Sequence, residues 1–155
     1  MPKTTTITKS ALLVIAIAGS GFAIAHGGAT GIVKERMDDM SAMGKAMKTI
    51  VKQLKNKTSM DAGAVIQSSQ LIVKHSSMIP QMFPQGTHGK PSEALPAIWT
   101  NWNDFTAAAD KTKDEANKLQ QLMTSEASRP QLMKQFATLG KTCKGCHTDF
   151  RAAKE

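Results

Sequence analysis

Both cysteines of this chain lie in one pentapeptide, Cys143-Lys144-Gly145-Cys146-His147, close to the C-terminal end of its 155 residues. Thiols so near each other cannot staple distant segments, so no disulfide framework holds this fold. Packing, or a group bound by the pentapeptide, must hold it instead. The surrounding pattern says which secondary structure carries the motif. Leu132, Phe136, Leu139, Cys143, His147 and Phe150 follow at steps of four, three, four, four and three, which is one face of a helix opening near Ser128. Pro130 is tolerated in its first turn.

The same period recurs upstream. Met40, Met43, Met47, Ile50 and Leu54 mark the apolar face of a helix over 32–55, and Val33 and Met37 extend the stripe backwards. A second helix is expected over 61–78 with Val65, Ile66, Ile72 and Val73 inward. A connection punctuated by Pro80, Pro84, Gly86, Gly89, Pro91 and Pro96 follows it. A third is expected over 97–125, with Ile98, Trp102, Phe105, Ala109, Leu119 and Leu122 facing in and Lys111, Lys113, Asp114 and Glu115 on a solvated face. Tyrosine is absent and strand-like alternation is hard to find, so the chain reads as all-α: an antiparallel four-helix bundle in which facing side chains can build a cofactor site.

Residues 1–25 read as a cleaved secretory signal peptide: Lys3 and Lys9 give a basic start, Ala11 to Ala18 an apolar core, and Ala23-Ile24-Ala25 a small-x-small cleavage site. Gly19, Ser20 and Gly21 break the apolar run short of the ~20 residues that a membrane span needs. Residues 26–155 then form one exported domain, periplasmic, with no stable membrane span after cleavage. The net charge is +8, and removing the signal takes two lysines and no acids from it. A diffuse positive charge on an exported protein points to acidic protein partners or anionic surfaces and away from nucleic acid.

Cys-x-x-Cys-His is the attachment signature of a c-type haem: two thiols add to the haem vinyl groups and the adjacent imidazole ligates the iron. Three other readings of the motif stay open on the residues alone. A redox dithiol normally sits in a βαβ unit. A zinc site would need further ligands, from His26, His75 or His88 in distant segments. A local disulfide would leave His147 and the export signal unexplained.

The stretch from Lys141 to Arg151, with Arg36-Met37-Asp38-Asp39-Met40, Met82-Phe83-Pro84 and Ile98 through Phe105, resembles the class II c-type cytochromes, the cytochrome c prime family and its low-spin relatives. The resemblance covers nearly the whole chain after the signal. It implies a four-helix bundle with one haem c bound through Cys143 and Cys146, and His147 as the proximal ligand. It also implies Arg36 and Arg151 close to the haem, Arg36 pairing with a propionate. The family divides at a distal position four residues after the arginine, here Met40. A methionine that ligates there gives a low-spin electron carrier; an unligated residue leaves the iron five-coordinate and open to nitric oxide or carbon monoxide.

Bottom-up, a thioether is a good ligand for haem iron, but Met37, Met40, Met43 and Met47 also read as an adaptable packing stripe. The leading expectation is therefore a periplasmic mono-haem electron-transfer protein, not an enzyme, with His147 and Met40 on the iron. The alternative is a gas-binding cytochrome with Met40 lining the pocket. A haem-free bundle that binds metal through His26, His75 and His88 is a third. Trp99, Trp102 and Phe105 are candidate haem walls, and Lys144 a candidate contact for a periplasmic redox partner. A homodimer is compatible with an apolar first-helix face.

Overall fold

A computed structural model describes residues 27–153; the expected signal peptide and His26 lie outside these described residues. Four long helices form the frame: α1 (Gly31–Lys55), α2 (Ala62–Met78), α4 (Trp102–Thr124) and α5 (Arg129–Phe150), with a short α3 (Ala97–Thr100) before α4. They run alternately up and down in a ring. α1 packs on α2, α2 on α4, α4 on α5 and α5 back on α1, the last seam being the loosest. None of the described helices is long and apolar enough to cross a membrane.

The apolar stripes meet as two clusters. Toward one end Ile50, Leu54, Val65, Ile72, Leu119, Leu132 and Leu139 close a dry core. Toward the other, Ile79, Met82, Phe83, Ile98, Phe105 and Phe150 gather around the start of α1 and the end of α5. The helix ends at the closed pole are tied by polar groups. The Asp61 carboxylate accepts from the Ala64 N–H at 2.9 Å and so caps α2, one residue ahead of the helix rather than inside it. Arg129 donates from Nη1 to the Leu54 carbonyl at 2.6 Å, fixing the start of α5 to the end of α1.

Three expectations are corrected. The connection after α2 does not begin at Pro80: the chain makes one further 3-10 turn, Ile79–Met82, which buries Ile79 and Met82. The third helix is not continuous. Asn101, at φ −119° and ψ 47°, interrupts it. The break resets the helical phase, so Ile98 and Phe105 both point inward while Trp102 is left 37% exposed. Glu115 is not on the solvated face. It is buried between α4 and α5, where its carboxylate accepts from Gln135 Nε2 and Lys118 Nζ, each at 2.7 Å.

Candidate cofactor site

The loose α1–α5 seam opens into a cavity of about 440 Å³, within the usual range for small-molecule sites. α1 contributes Met37 and Met40, one turn below Arg36; α5 contributes Cys146, His147 and Phe150. Phe83, Ile98 and Phe105 make the apolar back wall, and their packing is specific: Phe83 and Phe150 set their rings edge-on to Phe105, centroids 4.9 Å and 5.3 Å away.

Helix geometry explains the α5 side. Cys143 and His147 are four residues apart, so they share a face, and Cys146 lies beside them. Both cysteines are free thiols. Burial pushes the Cys143 thiol up, and burial with the neighbouring Cys143 and Asp149 pushes Cys146 to about 11. Thiols held protonated in this way are poor thiolate nucleophiles, which disfavours a redox dithiol. Burial, and then the Arg151 guanidinium, holds His147 below the ordinary imidazole range, against the opposing pull of Glu93. A neutral ring keeps a lone pair for a metal.

The other described histidines are engaged elsewhere. His75 Nδ1 stands 3.1 Å from the Asp39 carboxylate, and His88 packs on the Trp99 ring with centroids 5.4 Å apart. Among the described residues no group of three or more His, Cys, Asp or Glu side chains is placed to hold a metal ion. Of the aromatic residues expected to wall the site, Phe105 does. Trp99 instead donates from Nε1 to the Phe83 carbonyl at 2.9 Å, and Trp102 is at the surface.

Arg36 and Arg151 both line the cavity. Arg36 is 4% exposed and aims its guanidinium at the segment that follows α2. Arg151 lies at the end of α5, Nε 3.7 Å from the Glu93 carboxylate, in a short antiparallel bridge to Ala94. Leu95 N–H donates to the Phe150 carbonyl at 3.1 Å and Ala152 N–H to the Glu93 carbonyl at 2.8 Å, so the segment's second end is stitched to the helix carrying His147. Ser92, Glu93 and Ala94 are lining residues that sequence reasoning missed. They come from the aperiodic connection, where no spacing marks an inward side chain.

The residues present fit a haem: an apolar slot between two helices, one neutral imidazole facing into it, and two protonated thiols on the same helix. Comparisons with known proteins agree. The family described as Cytochrome C′ matches residues 31–151. The cytochrome c′ of Rhodopseudomonas palustris is 33% identical over 141 residues, covering 90% of this chain and 92% of that protein. Cytochrome c-556 of Agrobacterium fabrum is 33% identical over 153 residues, covering 98% of each. The solved structure of cytochrome c′ from Rhodopseudomonas palustris superposes with a TM-score of 0.72 at 29% identity, covering 82% of this chain and all of that one. This chain belongs to the cytochrome c′ family and is a mono-haem c-type cytochrome built on a four-helix bundle, with one covalently bound haem c.

Proposed function

We propose that this protein is a periplasmic cytochrome c′ that binds a small gas such as nitric oxide or carbon monoxide, with Met40 lining the distal side rather than ligating. Cys143 and Cys146 anchor the haem and His147 is its proximal ligand. The haem, when bound, supplies an iron centre able to exchange electrons and to take a diatomic ligand. The observation that carries this reading is the setting of Met40. Its side chain is drawn into the apolar cluster of Phe83, Ile98 and Phe105, as a wall residue, beside a cavity that offers an uncharged diatomic an apolar environment. The kinship with proteins named cytochrome c′ supports the same reading.

His147 does its part by staying neutral, held so by burial and by Arg151. The interlocked rings of Phe83, Phe105 and Phe150 keep water from the back of the site. Exposed Lys141, just before the motif, and Lys144, within it, favour an acidic redox partner that resets the oxidation state.

One observation favours the electron-transfer reading instead: Met40 and His147 line the same cavity from facing helices, the placement a His/Met pair requires. Visible spectra of the ferric and ferrous protein, with and without carbon monoxide, separate the two. A high-spin spectrum that shifts with carbon monoxide, and stays high-spin in Met40→Ala, is the expected result. A low-spin spectrum indifferent to carbon monoxide, converted to a responsive one by Met40→Ala, would overturn it in favour of Met40 ligation.

A further inference from the structure

Arg36 is a buried cation that pairs with no carboxylate among the described residues. Its satisfaction comes from the chain itself. Nη1 donates to the Met82 carbonyl at 3.4 Å and to Thr87 Oγ1 at 2.8 Å; Nη2 donates to the Thr87 carbonyl and to Ser92 Oγ at 2.6 Å. Four of the five N–H groups of a guanidinium are thus committed to one segment, 82–92. The face of the Phe83 ring, 4.5 Å from the guanidinium carbon, covers the charge from within the same segment.

The segment needs such a partner. Between Met82 and Ala97 the chain forms no helix, and Gly86 and Gly89, at φ +79° and +93°, turn it back so that Thr87 lies over α1. Few of its own backbone groups bond to one another; Ser92 N–H to the Gly89 carbonyl at 2.8 Å is the clearest case. Yet it supplies Phe83, Ser92, Glu93 and Ala94 to the cavity wall. Its far end is stitched to α5, and its near end is held by Trp99 through the Phe83 carbonyl. The middle is held by Arg36.

We infer that Arg36 is a positioning residue that latches the 82–92 segment across the mouth of the cavity, and so sets how readily a diatomic ligand enters. This role is additional to the pairing with a haem propionate that family resemblance implies, and it rests on the bonds to chain oxygens alone. Arg36 lies one turn before Met40 on the same face of α1, so the latch fixes the distal wall and the segment against each other. The access half of the inference rests on the gas-binding reading; the latch itself does not.

The test uses the haem-loaded protein and two readouts, amide hydrogen exchange and the carbon monoxide association rate. Arg36→Gln is expected to speed exchange of amides within 83–92 by about tenfold or more while the closed-end helices keep their protection. Carbon monoxide association should rise several-fold with it. Ser92→Ala, which keeps the charge and removes one acceptor, should do the same to a smaller degree, and combining the two should add little. Arg36→Lys should behave as Arg36→Gln, since a point charge cannot replace the fork. Unchanged exchange in Arg36→Gln, full additivity with Ser92→Ala, or wild-type behaviour of Arg36→Lys would each overturn the latch. Should Arg36→Gln fail to fold, Ser92→Ala and Thr87→Val decide by the same exchange measurement. An unmutated protein that ignores carbon monoxide removes the gas-binding reading and its access role, and loop exchange alone then judges the latch.

Discussion

Where α1 finishes and α5 begins, Ile50, Leu54, Leu132 and Leu139 are each no more than 1% exposed; where α1 begins and α5 finishes, Met37, Met40 and His147 face a cavity of about 440 Å³. The same two helices make both regions, with apolar stripes of the same period. What differs is the size of the residues that meet across the seam. In the closed half a Cβ added to Gly140 would lie 3.9 Å from Met47 Cε, in ordinary contact. In the open half Ser41 and Gly44 are what α1 sets beside the methionines, and a Cβ on Gly44 would meet nothing within 4 Å. A stripe therefore says which way a helix faces, while the small residues within it say whether the space is filled by protein or kept for a ligand.

The largest effect should come from breaking the filled half. Leu139→Ala removes a side chain with no exposure from a close-packed core and should cost about 3–4 kcal/mol, read as a lower midpoint in denaturant unfolding of the haem-loaded protein with unchanged slope. The visible spectrum should not move, because Leu139 belongs to the other cluster and does not line the cavity. A loss under about 1 kcal/mol would mean that this half relaxes around the deletion, and the contrast with the cavity half would fail.

A second, smaller effect sharpens the comparison along the α4–α5 seam. Hydrogen bonds from Lys118 first, and then from Gln135, hold the Glu115 carboxyl below the ordinary carboxylate range. Its folded value is depressed, so the stability it brings is complete above the unfolded value, about pH 4.3, and is lost as pH falls through the folded one. Glu115→Gln should cost about 1–2 kcal/mol at neutral pH and make the acid limb of the stability curve shallower. An unchanged acid limb would show that the buried carboxylate is not what links this seam to pH.

These two halves were not equally legible in the sequence. Helix directions and the Cys143 to His147 face follow from spacing, because backbone periodicity is local and each stripe repeats several times. Met40 could be singled out only through family resemblance, since its stripe looks the same whether it packs or ligates. What escaped depends on cross-element contacts. Trp102 fits the inward spacing of Ile98 and Phe105, and only the break at Asn101 turns it out. Glu115 sits within a charged run, and only Gln135 on the facing helix gives it a reason to be buried. Arg36, Ser92 and Glu93 come together because an aperiodic segment folds back over α1, and nothing in its composition states where it lands.

The smallest expected change is at Met40, and it bears most directly on the hollow half. Leu has nearly the volume of Met and lacks the thioether, so Met40→Leu preserves the packing against Phe83, Ile98 and Phe105 while removing the only atom of that side chain suited to iron. If Met40 is a wall, stability should shift by less than about 1 kcal/mol and the ferric spectrum should remain high-spin. If Met40 is a ligand, the same substitution removes an iron bond that the folded state alone can make. Stability would then fall by more than packing explains, and a low-spin spectrum would turn high-spin. Denaturant unfolding and the ferric spectrum, measured on one preparation, thus separate volume from ligation, which Met40→Ala changes together.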